Sequence, residues 1–231
     1  MNTPDRPERE NCAALREDVL CDLQLLSADS VAPQAWRNGG GQTRELLAWP
    51  AGPDWRVRIS RADIAADGPF SAFPQVERWF TVLQGAGVLL TFAGTQHRLA
   101  PGDAPLRFDG AAAPGCRLLD GPTQDLNLML RRGAGAMLPV QAGQGWDAPC
   151  AMRGLYTTVA GLWCGGRQSR AVAAHTLLWM QDGARGVWSF QPAQRSSVSV
   201  AWWLGFTPAD DKPVTVRPEA VVGFGDPSTG A

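Results

Sequence analysis

The 231-residue chain is 45% hydrophobic and 19% charged, enough to bury one large core or two of ordinary size. Its 26 glycines and 18 prolines cut it into short segments, which excludes a helical bundle or coiled coil. A formal net charge of -1 and a pI near 6.1 leave no electrostatic footprint for nucleic acid or an anionic membrane, so neither is expected as a partner. The one lysine, Lys212, sits in a polar turn-like Ala-Asp-Asp-Lys-Pro segment, which argues against a desolvated Schiff-base amine.

Residues 1–19 are dominated by Pro, Glu, Arg and Asp and read as a mobile extension, because so few apolar groups cannot offset the entropy of ordering. No apolar leader core is present there, and no later run approaches about 18 uninterrupted apolar residues, so a soluble cytoplasmic protein is expected. The cysteines Cys12, Cys21, Cys116, Cys150 and Cys164 are odd in number and form no CxxC pair. That pattern suits a reducing compartment better than a disulfide framework or a zinc site.

From Cys21 onward the apolar period is two. Residues 21–25 and 57–60 alternate, and residues 79–92 read as two strands joined by a hairpin at 84–87. Further strands are predicted at 96–99, 106–108, 116–119 and 126–130, bounded by turn chemistry such as Pro101-Gly102-Asp103. Residues 132–148, rich in Gly, Ala, Gln and Pro, read as the seam between two halves. Residues 82–92 align with 179–190 across one inserted residue, which suggests duplication of a β-domain. The expected class is all-β, a sandwich or barrel.

Chemistry-bearing residues are sparse. His97 and His175 form no HxH and have no carboxylate at ligand spacing, so no metal site is expected, and both read as surface or structural histidines. GxSxG and dinucleotide fingerprints are missing, which weakens hydrolase and dehydrogenase readings. Ten tryptophans against one tyrosine are assigned mainly to core filling, since Trp79, Trp188, Trp202 and Trp203 stand in apolar strands.

Residues 36–45 are the most unusual stretch. Gly39, Gly40 and Gly41 after Asn38 permit positive φ and free N–H groups, which suits either an anion-binding nest or a hairpin loop, and Thr43 and Glu45 share one strand face beyond it. Alternation places Arg78 on one face with Phe80 and Val82, as an inward cation needing an anion or as an arginine at the strand mouth. Arg58 with Ser60, and Asp125 with Asn127, form further same-face polar pairs that fit a cavity or a solvated face equally.

The blocks at 36–45, 58–64, 67–74, 77–78, 82–85 and 125–129, in this order, resemble those of the HutD/Ves family over about residues 36–131. The resemblance implies a bicupin-like fold in a bacterial protein, two β-barrel (jelly-roll) domains. These are expected as a barrel with a ligand cavity at 20–135 and a second barrel at 136–231. It also implies a link to histidine utilisation in some members and to stress response in others, with a small carboxylate such as formate or N-formylglutamate held by Arg78. The expected ligand residues are Arg78, Asn38, Gly39, Gly40, Thr43, Glu45, Arg58, Ser60, Ser71, Asp125 and Asn127, with no cofactor, metal or catalytic residue. The function so read is a non-catalytic small-carboxylate-binding sensor or flux regulator, with a homodimer left open. The alternative is a metal-free cupin enzyme, an isomerase or hydrolase, using Glu45 or Asp125 as general base. The chain departs from the family pattern at Val57, where Trp is common and Trp55 is expected to supply the missing volume, and at Arg61, usually apolar.

Overall fold

The computed structural model describes residues 23–181 and 186–209, so the expected extension at 1–19, Cys21, Asp22 and Lys212 lie outside the described residues. Strands dominate, in chain order β1 (Gln24–Ser27), β2 (Gln34–Ala35), β3 (Gly41–Trp49), β4 (Val57–Ile64), β5 (Gly68–Pro69), β6 (Glu77–Gln84), β7 (Val88–Phe92), β8 (Thr95–Leu99) and β9 (Leu106–Asp109). They continue as β10 (Gly115–Leu118), β11 (Thr123–Leu130), β12 (Gly133–Pro139), β13 (Met152–Thr157), β14 (Gly161–Gly165), β15 (Gln168–Val172), β16 (Thr176–Met180), β17 (Trp188–Pro192) and β18 (Ala201–Pro208). Two short 3-10 turns, Ala28–Ser30 and Gly110–Ala112, are the only helical elements among the described residues, and no helix is long and apolar enough to cross a membrane.

The strands form four antiparallel sheets in the orders β2-β3-β4-β11-β6-β9, β5-β10-β7-β8, β1-β16-β13-β18-β12 and β15-β14-β17. Three apolar seams hold them as layers. Ile64, Phe80 and Val82 meet Val88, Leu90, Leu99 and Cys116 between the first two sheets. The opposite face of the first sheet, with Val57, Ile59, Leu126, Leu128 and Leu130, packs on Met137, Tyr156, Leu177, Trp179, Trp202 and Phe206 of the third. The far face of the third, with Leu155, Leu178 and Trp203, closes on Trp163, Trp188 and Phe190. Alternation is what makes this possible: β11 sends its leucines to one layer and Asp125, Asn127 and Met129 to the other.

The all-β class is thus observed. None of the four sheets closes on itself among the described residues; the architecture is two sandwiches of facing sheets, packed back to back. Position for position, β12-β18-β13-β16 repeats β4-β11-β6-β9, and β17-β14-β15 repeats β10-β7-β8.

Four readings of the sequence are corrected. The expected hairpin at 84–87 joins strands of different sheets, since β6 pairs with β11 and β9 while β7 pairs with β10 and β8. A connector between layers uses the same glycine chemistry as a hairpin: Gly85 and Gly87 have φ of +95° and +104°, and a Cβ on them would come within 2.6 Å of the Pro122 carbonyl and 2.2 Å of the Leu99 carbonyl. The match of 82–92 to 179–190 therefore pairs strands that are not equivalent; the counterpart of β6 by sheet position is β13, not β16.

The seam at 132–148 begins with a paired strand. β12 runs alongside β18, and Gly133 and Gly135 are small because a Cβ would meet the Thr207 and Gly205 carbonyls at 2.5 and 2.3 Å. β12 pairs with β18 along its whole length, and β1, early in the chain, pairs with β16. Trp55 does not replace a core aromatic: Val57 is fully buried in the central seam, while Trp55 lies under the Arg131 guanidinium at 4.5 Å.

Candidate functional site

β6 and β11 bring together the polar centre of the first sandwich. Their register sets Arg78 beside Met129, Phe80 beside Asn127 and Val82 beside Asp125, all facing the inner layer. Arg78 is 5% exposed and Asp125 1% exposed, and they are bridged by one amide. Arg78 Nη2 donates to Asn127 Oδ1 at 2.7 Å, and Asn127 Nδ2 donates to Asp125 Oδ1 at 2.5 Å. Arg78 Nε and Asp125 Oδ2 are buried without a hydrogen-bond partner.

The guanidinium is enclosed by rings: Cζ lies 5.0 Å from the Phe70 centroid, 5.7 Å from Phe73 and 5.1 Å from Phe108. Phe108 comes from β9, opposite Arg78, and also lines an open depression of about 690 Å³ with Gln75, Val76, Glu77, Arg107 and Asp109. The ring faces offer partial negative charge, but no ring is a hydrogen-bond acceptor in the guanidinium plane.

Burial dominates the electrostatics. It presses Arg78 down to about 10, against the pull of Asp125, with Arg58 adding repulsion. The guanidinium stays charged at neutral pH. Desolvation pushes the Asp125 carboxyl up to about 8, opposed by Arg78 and by the Asn127 hydrogen bond and reinforced by Asp63. Cys116, on the facing β10, is pushed up to about 12 by burial, then by Asp125 and Asp67, and so remains a neutral thiol.

The other expected residues divide. Arg58 and Ser60 do face the same layer as Asp125 and Asn127, paired across β4 and β11. Arg58 is bound by Glu45, with Nε to Oε2 at 2.6 Å, and its Nη1 lies 3.7 Å from the Met129 sulfur. Glu45 is thereby committed to an ion pair, at 37% side-chain exposure. The Thr43 hydroxyl accepts from Trp36 Nε1 at 2.8 Å.

Asn38, Gly39 and Gly40 form the β2–β3 turn, with the geometry of the hairpin-loop reading. Gly39 N–H donates to the Trp36 carbonyl at 3.0 Å and Gly40 N–H to Asn38 Oδ1 at 3.1 Å, so these donors close the turn on itself. Ser71 is exposed between β5 and β6. Arg61 faces away from this centre, toward the second sandwich, where Nη1 binds Asp29 Oδ1 at 2.9 Å.

Phe70, Phe73, Phe108 and Met129 escaped the sequence reading. Two of the rings lay in plain view in Asp67-Gly68-Pro69-Phe70-Ser71-Ala72-Phe73-Pro74, but a phenylalanine looks the same whether it fills a core or covers a cation. Among the described residues no three His, Cys, Asp or Glu side chains gather as metal ligands.

Comparison with known proteins agrees with this architecture. The HutD family model matches residues 28–192. Protein Ves of Cronobacter sakazakii is 31% identical over 163 residues, covering 70% of this chain and 89% of that protein. Protein Ves of Citrobacter koseri is 31% identical over 176 residues, covering 75% and 91%. Among solved structures, a conserved protein of unknown function from Pseudomonas aeruginosa has a TM-score of 0.71 at 25% identity, covering 80% of this chain and 99% of that one. HutD from Pseudomonas fluorescens, in a formate condition, has a TM-score of 0.68 at 28% identity, covering 80% and 98%. Oxalate decarboxylase from Lactobacillus farciminis, at 10% identity and a TM-score of 0.52 over 80% of this chain and 86% of that one, shares the fold alone and marks it as cupin-like. The family match across most of the described strands, with relatives aligned over nearly their whole length, establishes that this chain belongs to the HutD/Ves family.

Proposed function

We propose that this protein is a non-catalytic binder of a small carboxylate, formate or N-formylglutamate being the candidate ligands, within a bicupin-like frame. It acts as a cytoplasmic metabolite sensor or flux regulator in histidine utilisation. The observation that carries the reading is Arg78: a buried cation whose hydrogen bond goes to a neutral amide and whose Nε has no partner. A guanidinium in such surroundings costs several kcal/mol unless an anion completes it. A carboxylate matches its planar fork. The P. fluorescens HutD, with its formate condition, supports the choice of ligand class.

Isothermal titration of the full chain with formate and N-formylglutamate, beside thermal melts, tests this. Arg78→Ala is expected to lose about 2–5 kcal/mol of affinity while remaining folded, as when one partner of a buried charge pair is truncated. Arg78→Lys should recover part of it, keeping the charge without the fork. Unchanged affinity in folded Arg78→Ala overturns the reading.

A second reading, a metal-free isomerase or hydrolase, has one observation in its favour: Asp125 is a buried carboxyl pushed up to about 8 beside a cation. The same geometry disfavours Glu45 as its base, since Arg58 occupies that carboxylate. Steady product formation from N-formylglutamate by purified protein, abolished in Asp125→Asn, would establish this second reading in place of the first.

A further inference from the structure

Asn127 fixes the polarity of the buried centre. Its carbonyl oxygen is taken by Arg78 and its amide hydrogen by Asp125 Oδ1, so the amide has one orientation that satisfies both neighbours. Asp125 Oδ2 and Arg78 Nε are then the buried polar atoms of this centre left without a partner. An ionised carboxylate there would leave its second oxygen without any donor in an apolar layer. A protonated one presents an O–H donor on the same inner face as the guanidinium, the arrangement that a second carboxylate could accept from both sides.

We propose, resting on the carboxylate-binding reading above, that Asp125 grips the bound anion as a hydrogen-bond donor alongside Arg78, so that the carboxylate binds together with one proton on Asp125. The ligand class is thereby narrowed to a small carboxylate with one oxygen free to accept from an acid, held as a carboxylate–carboxylic acid pair. The proton comes from solvent whenever Asp125 is ionised in the free protein, and no bond to carbon is made or broken. An ionised Asp125 would instead repel the incoming anion and offer Arg78 a competing negative charge.

The groups around Asp125 leave it as the proton carrier. Arg78 on β6 stays a guanidinium at neutral pH, and Arg58 on β4 is taken by Glu45 of β3, Nε to Oε2 at 2.6 Å. Cys116 on β10 is held as a thiol by burial, and Asp67, beyond it, accepts from the Leu118 N–H at 2.8 Å. Asp63, on the opposite face of β4, is held below the ordinary carboxylate range by hydrogen bonds from Gln124 and Gln42 and by Arg61 and Arg44, which outweigh its own desolvation. His97 on β8 reaches the site only through rings, packing on Phe92, which packs on Phe108.

The test is formate titration of the full chain by calorimetry from pH 5.5 to 9.5, in two non-carboxylate buffers of different ionisation enthalpy. Formate itself stays ionised throughout. Wild-type affinity is expected to be level below about pH 7 and to fall about tenfold per pH unit above about pH 8, a loss of about 30-fold by pH 9.5, with uptake of about one proton per formate at high pH and about none at pH 6. Asp125→Asn, which keeps a donor at the same place, should bind with a level pH profile and no proton uptake, and His97→Gln should keep the wild-type profile. Formate binding that needs Arg78 but is level with pH in the wild type, or an Asp125→Asn profile that still falls, overturns the proton coupling and leaves the carboxylate site standing. No formate binding at any pH, or binding that survives Arg78→Ala, overturns the site and the coupling with it. The wild-type profile and proton count require no variant to fold.

Discussion

Arg78 and Arg153 each stand second in equivalent strands, β6 and β13, and are almost equally buried, at 5% and 3% exposure. Both lie against aromatic rings, Arg153 over Trp146 and Trp188 at 5.4 and 5.8 Å. Their Nε atoms are alike, both buried without a partner, but their Nη groups differ. Arg153 donates from Nη1 and Nη2 to the carbonyls of Gly186 and Ala148 and to Asp147, so this chain supplies those groups with three acceptors, one of them a carboxylate. Arg78 has one neutral amide.

The last strand of each half decides the difference. Opposite β6 stand Asp125, Asn127 and Met129; opposite β13, at the same register, stand Ala201, Trp203 and Gly205. Trp203 stacks on Trp146 at 5.1 Å and meets Trp188 edge-on, filling the second sandwich with indole where the first keeps a polar pair. One frame therefore yields a packed core or a polar centre according to three side chains on one strand face.

The comparison breaks most severely from the packed side. Trp203→Ala should cost about 3–5 kcal/mol in urea unfolding by leaving a cavity among the tryptophans, with carboxylate binding unchanged in the folded fraction. Next in size is the contrast between the arginines. Arg153→Met should be clearly destabilising, since it strips three acceptors and each buried carbonyl left without its donor costs about 1–3 kcal/mol, whereas Arg78→Met strips only Asn127 Oδ1 and should cost less in the absence of ligand. Equal losses in denaturant melts of the two variants would show that Arg78 has an internal partner after all.

Asp125 sharpens the contrast through pH. Its native value, about 8, lies above the ordinary 3.8, so the folded chain binds more protons than the unfolded chain between about pH 4 and pH 8. The resulting contribution to stability is fully present below that window and is lost as pH rises through it. Asp125→Asn should flatten the decline and melt higher than wild type at pH 8.5 without ligand. The smallest effect is expected at the rim: Arg107, paired with Glu77 but itself 63% exposed, should change stability by less than about 1 kcal/mol on Arg107→Ala.

Several parts of this were legible from residues alone. The predicted strands at 57–60, 96–99, 106–108, 116–119 and 126–130 correspond to β4, β8, β9, β10 and β11, because alternation over four or more residues has few other meanings. The phase of Arg78 with Phe80 and Val82 was legible too, but its inward placement was not, because a strand-mouth arginine has the same alternation. The Gly-rich turn stayed open between two readings, because free glycine N–H groups and glycines that close a turn read identically until their acceptors are known. The glycines of β12 misled, since close backbone approach and linker flexibility draw on the same residue.

The sequence by itself determined the all-β class, that Arg78 shares a strand face with Phe80 and Val82 and Asp125 one with Asn127, and the family, because these rest on local periodicity and on ordered motifs. Only the tertiary structure decided that β6 and β7 part into different layers, that β1 joins the far sandwich, that Glu45 is spent on Arg58, and that Asn127 stands between a cation and an acid without completing either. Those outcomes depend on which strands become neighbours across tens of residues. That choice is made by the apolar seams between sheets, and no window of sequence contains both sides of a seam.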